Sequence, residues 1–228
     1  MLINCDLGEC LTDDPDLHIM PLIDQASIAC GGHVGDALSM DKTVALAKSY
    51  HVSIGAHPSY PDKAQFGRVS MAMSLPDLFC HLLNQVQTLT QACQRHQVSL
   101  DYIKPHGALY HDMMQQPAIF ALLCDVVQVQ QGDVKLMVQA GINGQKLMAI
   151  AKDKDVPLLF EAFADRAYDR AALRPRTEKG AVLLSPEDIV AQYQQLSVST
   201  DFTIDTICFH SDHAPSVLAL KAIKSMIC

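Results

Sequence analysis

The feature that most constrains the fold is a regular alternation of short apolar runs with longer amphipathic stretches along the chain. Most of the apolar runs are nearly continuous, which is typical of parallel strands that helices cover on both faces. An eighth candidate strand lies at 181–184. The seven main runs predict strands at 2–5, 27–30, 52–55, 100–103, 134–138, 157–160 and 206–209.

Helices are predicted between these strands. Ser74 and Ser185 are each followed by a proline and an acidic residue, the pattern of a capped helix N-terminus. The first of these two helices continues to about Ala92, and further helices are predicted at 37–50, 117–130, 144–153 and 214–227. Strands that alternate with helices define an α/β protein. Because no repeat, low-complexity tract or long linker interrupts the pattern, we predict a single domain over 1–228.

An open doubly wound sheet and a closed barrel both fit this alternation. The first strand is followed by Asp6-Leu7-Gly8-Glu9 and not by the Gly-x-Gly-x-x-Gly of dinucleotide-binding sheets. A Gly-x-x-x-x-Gly-Lys-Ser/Thr motif is also absent from the sequence, so a nucleotide is not held by a P-loop. The sequence therefore favours a barrel or a distorted barrel.

Charge and cysteine content narrow the functional class. A formal net charge of −8 argues against non-specific binding to nucleic acid or to an acidic membrane. The sequence shows no signal peptide and no apolar run near the roughly 20 residues of a membrane span, so we expect a cytoplasmic protein. The eight cysteines form no Cys-x-x-Cys pair, and we expect reduced, mostly buried thiols.

Polar side chains gather directly after six of the predicted strands. In barrel enzymes the C-terminal strand ends and the loops after them form the active site, so this placement predicts one site. The candidates for acid–base catalysis are Asp6, Glu9, His33, His57, His106 and Glu161. The candidates for binding substrate or an anion are Asn4, Arg68, Lys104, Asp165, Arg166, His210 and Asp212.

Some residues in these clusters also fit a structural role. Asp36 fits the N-cap of the next helix. Asp62 with Arg68 fits an ion pair that fixes a loop, and Asp165 with Arg166 fits a second pair. For these residues the sequence leaves the structural and the functional interpretation open.

The chemistry of the clusters favours acid–base catalysis. Lys104 stands at a strand end where it is desolvated unless it meets an anion, so a substrate carboxylate or phosphate is its natural partner. A serine nucleophile is poorly supported because no Gly-x-Ser-x-Gly is present. Asp6, His33 and His57 offer a possible ligand set for zinc or manganese, although their spacing matches no local metal motif.

The same clusters carry a family resemblance. On these segments the chain resembles the LamB/YcsF family, and the segments follow one another in order through nearly the whole chain. They are Asn4-Cys5-Asp6-Leu7-Gly8-Glu9, Ile28-Ala29-Cys30-Gly31 with His33 and Gly35-Asp36, Gly55-Ala56-His57-Pro58-Ser59-Tyr60-Pro61-Asp62, Phe66-Gly67-Arg68, Lys104-Pro105-His106-Gly107-Ala108-Leu109-Tyr110, Glu161-Ala162-Phe163-Ala164-Asp165-Arg166 with Tyr168, and Ile207-Cys208 with His210 and Asp212.

The resemblance implies an irregular, seven-stranded TIM-like (β/α) barrel, related to the glycoside hydrolase/deacetylase fold. It also implies the activity of the A subunit of an ATP-dependent 5-oxoprolinase, which hydrolyses 5-oxo-L-proline (pyroglutamate) to L-glutamate. The implied cofactor is ATP with Mg as its counter-ion, and the implied partners are separate B and C subunits. We expect no nucleic-acid or membrane partner.

Two other functions stay open at this point. One is a metal-dependent carbohydrate deacetylase that uses Asp6, His33 and His57 as ligands and needs no ATP. The other is a regulatory subunit whose partner performs the chemistry. Departures from the family pattern adjoin the candidate site and bear on its substrate scope; they are Ser27, Gly32, Val34, Val69 and Ser211.

Overall fold

A computed structural model describes residues 1–10, 14–141, 145–169, 172–174, 176 and 178–227. The barrel consists of seven parallel strands, with the last strand lying between the first and the sixth. A further two strands pair as a separate antiparallel ribbon. In chain order the strands are β1 (Leu2–Leu7), β2 (Gln25–Ala29), β3 (Ser53–His57), β4 (Tyr102–Ile103), β5 (Lys135–Gln139), β6 (Leu158–Phe163), β7 (Tyr168–Asp169), β8 (Ala172–Leu173) and β9 (Thr206–His210), of which β7 and β8 form the ribbon.

The predicted α/β barrel and its seven strands are confirmed. The apolar runs are buried along most of their length, as expected for parallel strands with helices outside and a packed interior inside. The register aligns the polar strand ends: Asp6 lies level with Ser27 on β2 and with His210 on β9. All the barrel strands run in one direction, so their C-terminal ends meet at the same rim.

Helices occupy the connections between barrel strands, and neighbouring helices pack against each other. A short 3₁₀ turn (Met20–Leu22) follows the first helix. The helices are α1 (Asp16–Ile19), α2 (Ala37–Ser49), α3 (Leu75–His96), α4 (Gly107–Gln115), α5 (Pro117–Gln128), α6 (Gln145–Asp153), α7 (Pro186–Ser197) and α8 (Ala214–Ile227). Residue 144, where the sixth helix is predicted to begin, lies outside the described residues.

The helix starts that the sequence predicts are confirmed by their caps. The Ser74 hydroxyl accepts a hydrogen bond from a first-turn backbone N–H of α3, and Ser185 does the same for α7. Asp36 caps α2: its carboxylate accepts from two backbone N–H groups, and Ser39 completes a capping box. Asp36 therefore has the structural role that the sequence allowed for it.

The eighth candidate strand at 181–184 is wrong. Val182 makes only an isolated bridge to Arg166, and Leu183 and Leu184 belong to no strand. The physical reason is barrel closure: β6 pairs directly with β9, which leaves no position for another strand between them. The short helix α4 was not predicted, because the run after Pro105 reads as a polar loop.

Tyr102 fills part of the barrel interior. Its ring packs against Met137 and Leu159, and its hydroxyl lies 3.1 Å from the Ser27 hydroxyl. Gly55 on the adjacent strand makes this possible, because a Cβ there would lie 2.1 Å from a carbon of the Tyr102 ring. The interior is thus a packed core, and the rim is left for the site.

The described cysteines are free, as predicted, and most of them are buried; Cys80 is exposed. Cys228 lies outside the described residues. Within the described ranges, no helix combines the length and the apolar character that a membrane crossing needs. The cytoplasmic location stays a prediction.

Candidate active site

The rim of the barrel brings the predicted site residues together from both halves of the chain. Most of them are buried, although Arg68 and Asp212 are partly exposed. The strand ends carry Asn4, Asp6, His57, Glu161 and His210, and the loops after strands carry Glu9, His33, Arg68, Lys104, His106, Asp165, Arg166 and Asp212.

Three imidazoles surround one carboxylate oxygen in what we call the His–Glu cluster (Glu9, His33, His57 and His106). Glu9 Oε1 lies 3.0 Å from His33 Nε2 and 3.2 Å from His106 Nδ1. The same oxygen lies 3.7 Å from His57 Nε2. His57 Nε2 and His106 Nδ1 are themselves 3.0 Å apart. Four side chains from the loops after β1, β2 and β4 and from the end of β3 therefore point at one small volume.

Backbone groups fix the orientation of these rings. His57 Nδ1 donates to the Lys104 carbonyl at 2.7 Å, and His106 Nε2 donates to the Phe66 carbonyl at 3.0 Å. A carbonyl only accepts, so each ring carries its proton on the nitrogen that faces away from Glu9. The rings of His33 and His106 stack with centroids 3.7 Å apart. The nitrogens that face Glu9 are thereby presented as acceptors by His57 and His106.

Close packing of the loops around the cluster requires two glycines. Gly67 has a φ of +63°, and a Cβ there would lie 3.1 Å from the Cβ of His33. Gly107 has a φ of +54°, and a Cβ there would lie 2.6 Å from the carbonyl oxygen of Gly67. Only residues without a Cβ let the two loops approach this closely at positive φ.

Burial sets the protonation of the cluster. It lowers the pKa of His57 to about 3, outweighing the opposite effect of Asp6. It also lowers the pKa of His33. Burial alone would raise the pKa of Glu9, but hydrogen bonds with His106 and His33 hold it well below its usual range. At neutral pH the cluster therefore combines an ionised carboxylate with neutral rings at His33 and His57.

A second group, the Lys104 cluster (Lys104, Asp6, Glu161, Asn4 and Cys208), lies beside the first. Lys104 Nζ is 2.8 Å from Asp6 and 3.0 Å from Glu161. It also lies 3.3 Å from Asn4 Oδ1 and 3.2 Å from Cys208 Sγ. Asp6 connects the two clusters, because its other oxygen is 3.5 Å from His57 Nε2.

The charges of the Lys104 cluster are mutually dependent. Burial would lower the pKa of Lys104, but Asp6, Cys208 and Glu161 raise it well above its usual value. Burial would raise the pKa of Asp6, yet His57 and Lys104 lower it to about 2. Because His57 is neutral at neutral pH, Lys104 is the partner that matters there. Burial raises the pKa of Glu161, and the nearby Lys104 only partly offsets this effect.

These contacts correct the expected partner of Lys104. The sequence predicts a substrate carboxylate or phosphate, whereas two protein carboxylates already neutralise the ammonium. Asp6 and Glu161 reach Lys104 across the closed barrel, from strands that are distant in sequence. Lys104 is therefore held as part of a buried charge network, and a substrate anion must be bound chiefly elsewhere.

Asp165 pairs with His210 at the opposite side of the rim. His210 Nδ1 lies 2.9 Å from the carboxylate, which also accepts from the His210 backbone N–H and from Ser216. The predicted Asp165–Arg166 ion pair is wrong, because the Arg166 guanidinium donates instead to the carbonyls of Ala181 and Arg174. The Asp165 carboxylate points inward while the guanidinium points along the loop.

Arg68 pairs with Asp212, 144 residues away, at 2.9 Å. The predicted pair of Arg68 with Asp62 is wrong, since Asp62 accepts from the Gln65 backbone N–H and shapes its own loop. The Arg68–Asp212 pair links the loop after β3 to the loop after β9. Its side chains are 50% and 35% exposed, so the guanidinium remains accessible to an anion.

A cavity of about 250 Å³ opens beside the Asp165–His210 pair. Two guanidinium groups line it, which suits a small anionic ligand. Arg176 and His213 in this lining were not among the predicted site residues, because neither directly follows a predicted strand. The polar lining residues are Asp165, Arg166, Arg176, His210, Asp212 and His213.

Two groups at the rim have donor atoms close enough to share a metal ion. One is the His–Glu cluster, whose four donor atoms lie within 4.8 Å of one another. The other contains Asp6, Cys208 and His210. The predicted ligand set of Asp6, His33 and His57 differs from both, since the structure groups Glu9 and His106 with His33 and His57.

Comparisons with known proteins agree with the family resemblance. The model of the LamB/YcsF family matches residues 1–228. The A subunit of 5-oxoprolinase from Vibrio vulnificus (strain YJ016) is 44% identical, over 99% of this chain and 96% of that protein. A protein from Pseudomonas aeruginosa, named as the third 5-oxoprolinase A subunit of that organism, is 38% identical over 100% of this chain and 96% of that protein. The solved lactam utilization protein from Thermus thermophilus superimposes with a TM-score of 0.87 at 28% identity, covering 99% of this chain and 96% of that one.

Proposed function

The chain belongs to the LamB/YcsF family, and on that basis we propose that it is the A subunit of a 5-oxoprolinase that hydrolyses 5-oxo-L-proline to L-glutamate with ATP. The observation that carries the proposal is full-length similarity to relatives named for that subunit, at 44% identity in the Vibrio vulnificus protein. The site geometry supports it, because a polar rim on a packed barrel suits hydrolysis of a small substrate.

The reaction needs ATP because an unstrained lactam is a poor electrophile, stabilised by amide resonance. In the proposed scheme the γ-phosphoryl group moves to the lactam oxygen and ADP leaves. Water adds to the activated carbon, the C–N bond breaks, and the nitrogen takes up a proton. A second water then releases phosphate from the resulting acyl phosphate. The protein has to bind the substrate carboxylate, orient water and stabilise developing charge.

The two clusters provide these functions at adjacent positions. The His–Glu cluster presents acceptor atoms, so it orients and deprotonates the attacking water. Lys104, held by Asp6 and Glu161, supplies positive charge near the oxygen that becomes negative. Arg166 in the cavity and Arg68 at its edge bind the substrate carboxylate or phosphate groups.

The proposal includes ATP with Mg as its counter-ion, and separate B and C subunits as partners. Support for a complex comes from the relatives, whose printed name is that of a subunit. The competing functions are a metal-dependent deacetylase and a mainly regulatory subunit, and each gives a different result in the assay below.

The test is turnover by the chain together with candidate B and C subunits, measuring glutamate and phosphate released from 5-oxo-L-proline. We expect both products in equal amounts, only when ATP and this chain are present. Failure to release glutamate would contradict the proposal. Acetate release from an N-acetylated sugar oligomer without ATP, abolished by a chelator, would favour the deacetylase.

A further inference from the structure

We propose that the His–Glu cluster is a binding site for one divalent transition-metal ion, held by Glu9, His33, His57 and His106. This inference goes beyond the proposed 5-oxoprolinase activity and does not depend on it. The metal is distinct from the Mg that accompanies ATP, because three imidazoles and one carboxylate suit zinc or a neighbouring late first-row ion better than magnesium.

The spacing of the donor atoms supports the site. Zinc bound at its usual distances to nitrogen and oxygen places neighbouring ligand atoms about 3.3 Å apart in a tetrahedron. Glu9 Oε1 lies 3.0, 3.2 and 3.7 Å from the ring nitrogens of His33, His106 and His57. The ring nitrogens of His57 and His106 are 3.0 Å apart. Four side chains are therefore already arranged near the edges of a coordination tetrahedron.

The hydrogen bonds of the rings provide an independent argument. The carbonyls of Lys104 and Phe66 hold the protons of His57 and His106 on the outward nitrogens. In the neutral rings, the two inward lone pairs then face each other and also face the Glu9 carboxylate. Three acceptors that converge on one point repel each other unless a cation lies between them. Carbonyl groups that fix the far nitrogen of a ligand histidine are also the usual outer shell of a metal site.

The second group of donors, Asp6, Cys208 and His210, is a poorer site. The Lys104 ammonium lies 2.8 Å from Asp6 and 3.2 Å from Cys208, so a cation is already present among those donors. In the described part of the chain, no lysine or arginine nitrogen lies within ion-pair distance of Glu9. The metal is therefore assigned to the histidines and Glu9.

Direct metal binding by the full chain tests the assignment. The protein is treated with a chelator, and its folding is checked by circular dichroism. It is then titrated with CoCl₂ while the visible spectrum is recorded, and zinc content is measured after reloading with ZnCl₂. We expect one metal ion per chain and the intense visible bands of cobalt in a site of low coordination number, without a thiolate charge-transfer band.

Four variants locate the ion. His106→Ala and Glu9→Gln should weaken cobalt binding by at least about tenfold. His111→Ala removes an exposed histidine from the helix that follows His106, as a matched control, and should bind like wild type. Cys208→Ala removes a donor of the rival group and should also retain the metal.

The inference would be overturned if the folded wild-type chain bound neither Co²⁺ nor Zn²⁺ at one per chain. In that case the converging lone pairs share a proton. It would also be overturned if His106→Ala bound cobalt as tightly as His111→Ala, or if the wild-type spectrum showed a thiolate band that Cys208→Ala abolished. Because binding is measured without turnover, these results are separate from success or failure of the oxoprolinase assay.

Discussion

The ammonium of Lys104 lies 2.8 Å from the carboxylate of Asp6, with both side chains withdrawn from water. Glu161 approaches the same ammonium at 3.0 Å and is fully buried. Removing the cation would leave two carboxylates in a region of low dielectric. The stability of the rim therefore depends on residues that are also candidates for catalysis.

Lys104→Met should lower the free energy of unfolding by about 3 kcal/mol, because it leaves buried charges without a partner. Urea denaturation at neutral pH measures this. Lys42→Met is the matched control, since Lys42 pairs with Asp14 but is 69% exposed; its loss should be below about 1 kcal/mol. Equal losses in the two variants would show that the Lys104 network is not a buried one.

Asp165→Asn should cost roughly 3 kcal/mol of stability by breaking a largely buried pair with His210. Burial opposes both charges, but the pair lowers the pKa of Asp165 and raises that of His210. The Asp165 contribution is present above its usual pKa of about 3.9 and is lost as the pH falls through the lowered value. The His210 contribution is present below about 6.5 and is lost as the pH rises through the raised value.

The difference in unfolding free energy between wild type and Asp165→Asn should therefore be largest between about pH 4 and pH 6.5, and smaller at pH 9. Urea denaturation across this range provides the measurement. A difference that grows steadily towards pH 9 would contradict an ion pair between Asp165 and His210.

Gly32→Ala should destabilise the protein by about 2 kcal/mol through overpacking. A Cβ at residue 32 would lie 2.4 Å from Gln85 Oε1 and 2.5 Å from Ser59 Oγ. Gln85 holds the Ser59 backbone through two hydrogen bonds, so it cannot move without losing them. In a double-mutant cycle with Gln85→Ala, the second substitution should remove much of the cost of Gly32→Ala. Strict additivity would show that the clash with Gln85 is not the cause.

Arg68→Ala should raise the KM for an anionic substrate by about tenfold or more, since a charge-assisted hydrogen bond contributes about 1.5 kcal/mol or more. Its stability should change by less than about 1 kcal/mol, because its ion pair is half exposed. Arg95→Ala is the matched control: Arg95 pairs with Asp41 at 2.8 Å and is 53% exposed, but lies on α3 away from the rim. Steady-state kinetics of the complex should show a raised KM only for Arg68→Ala.

The strands and the position of the site were predictable from the sequence for a local reason. Parallel strands buried on both faces read as continuous apolar runs, and the polar residues after them fall at one rim by topology alone. The serine-capped starts of α3 and α7 and the Asp36 cap are likewise determined within a few residues. Each of these features depends on neighbours in the chain.

Pairings across the barrel were not predictable in the same way. Lys104 meets Asp6, 98 residues away, and Arg68 meets Asp212, 144 residues away. Both contacts are set by barrel closure, which no short segment encodes. The sequence predicted nearer partners for Arg68 and Asp165, and the structure replaces them with distant ones.

The choice between Asp6 and Glu9 as the carboxylate of the His–Glu cluster also depends on three-dimensional geometry. Asp6 lies on β1 and turns towards Lys104, whereas the chain turns at Gly8, with a φ of +71°, before Glu9. Glu9 then reaches all three imidazoles. Side-chain identity alone does not distinguish the two carboxylates.

The central claim is that the clusters at the barrel rim perform ATP-dependent lactam hydrolysis. The most direct measurement is the rate of glutamate release from 5-oxo-L-proline by the complex containing Glu9→Gln, compared with His111→Ala on the exposed face of α4. We predict at least about a 100-fold loss for Glu9→Gln, the size expected for removal of an acid–base group, and no change for His111→Ala. A Glu9→Gln complex that releases glutamate at the wild-type rate would contradict the account.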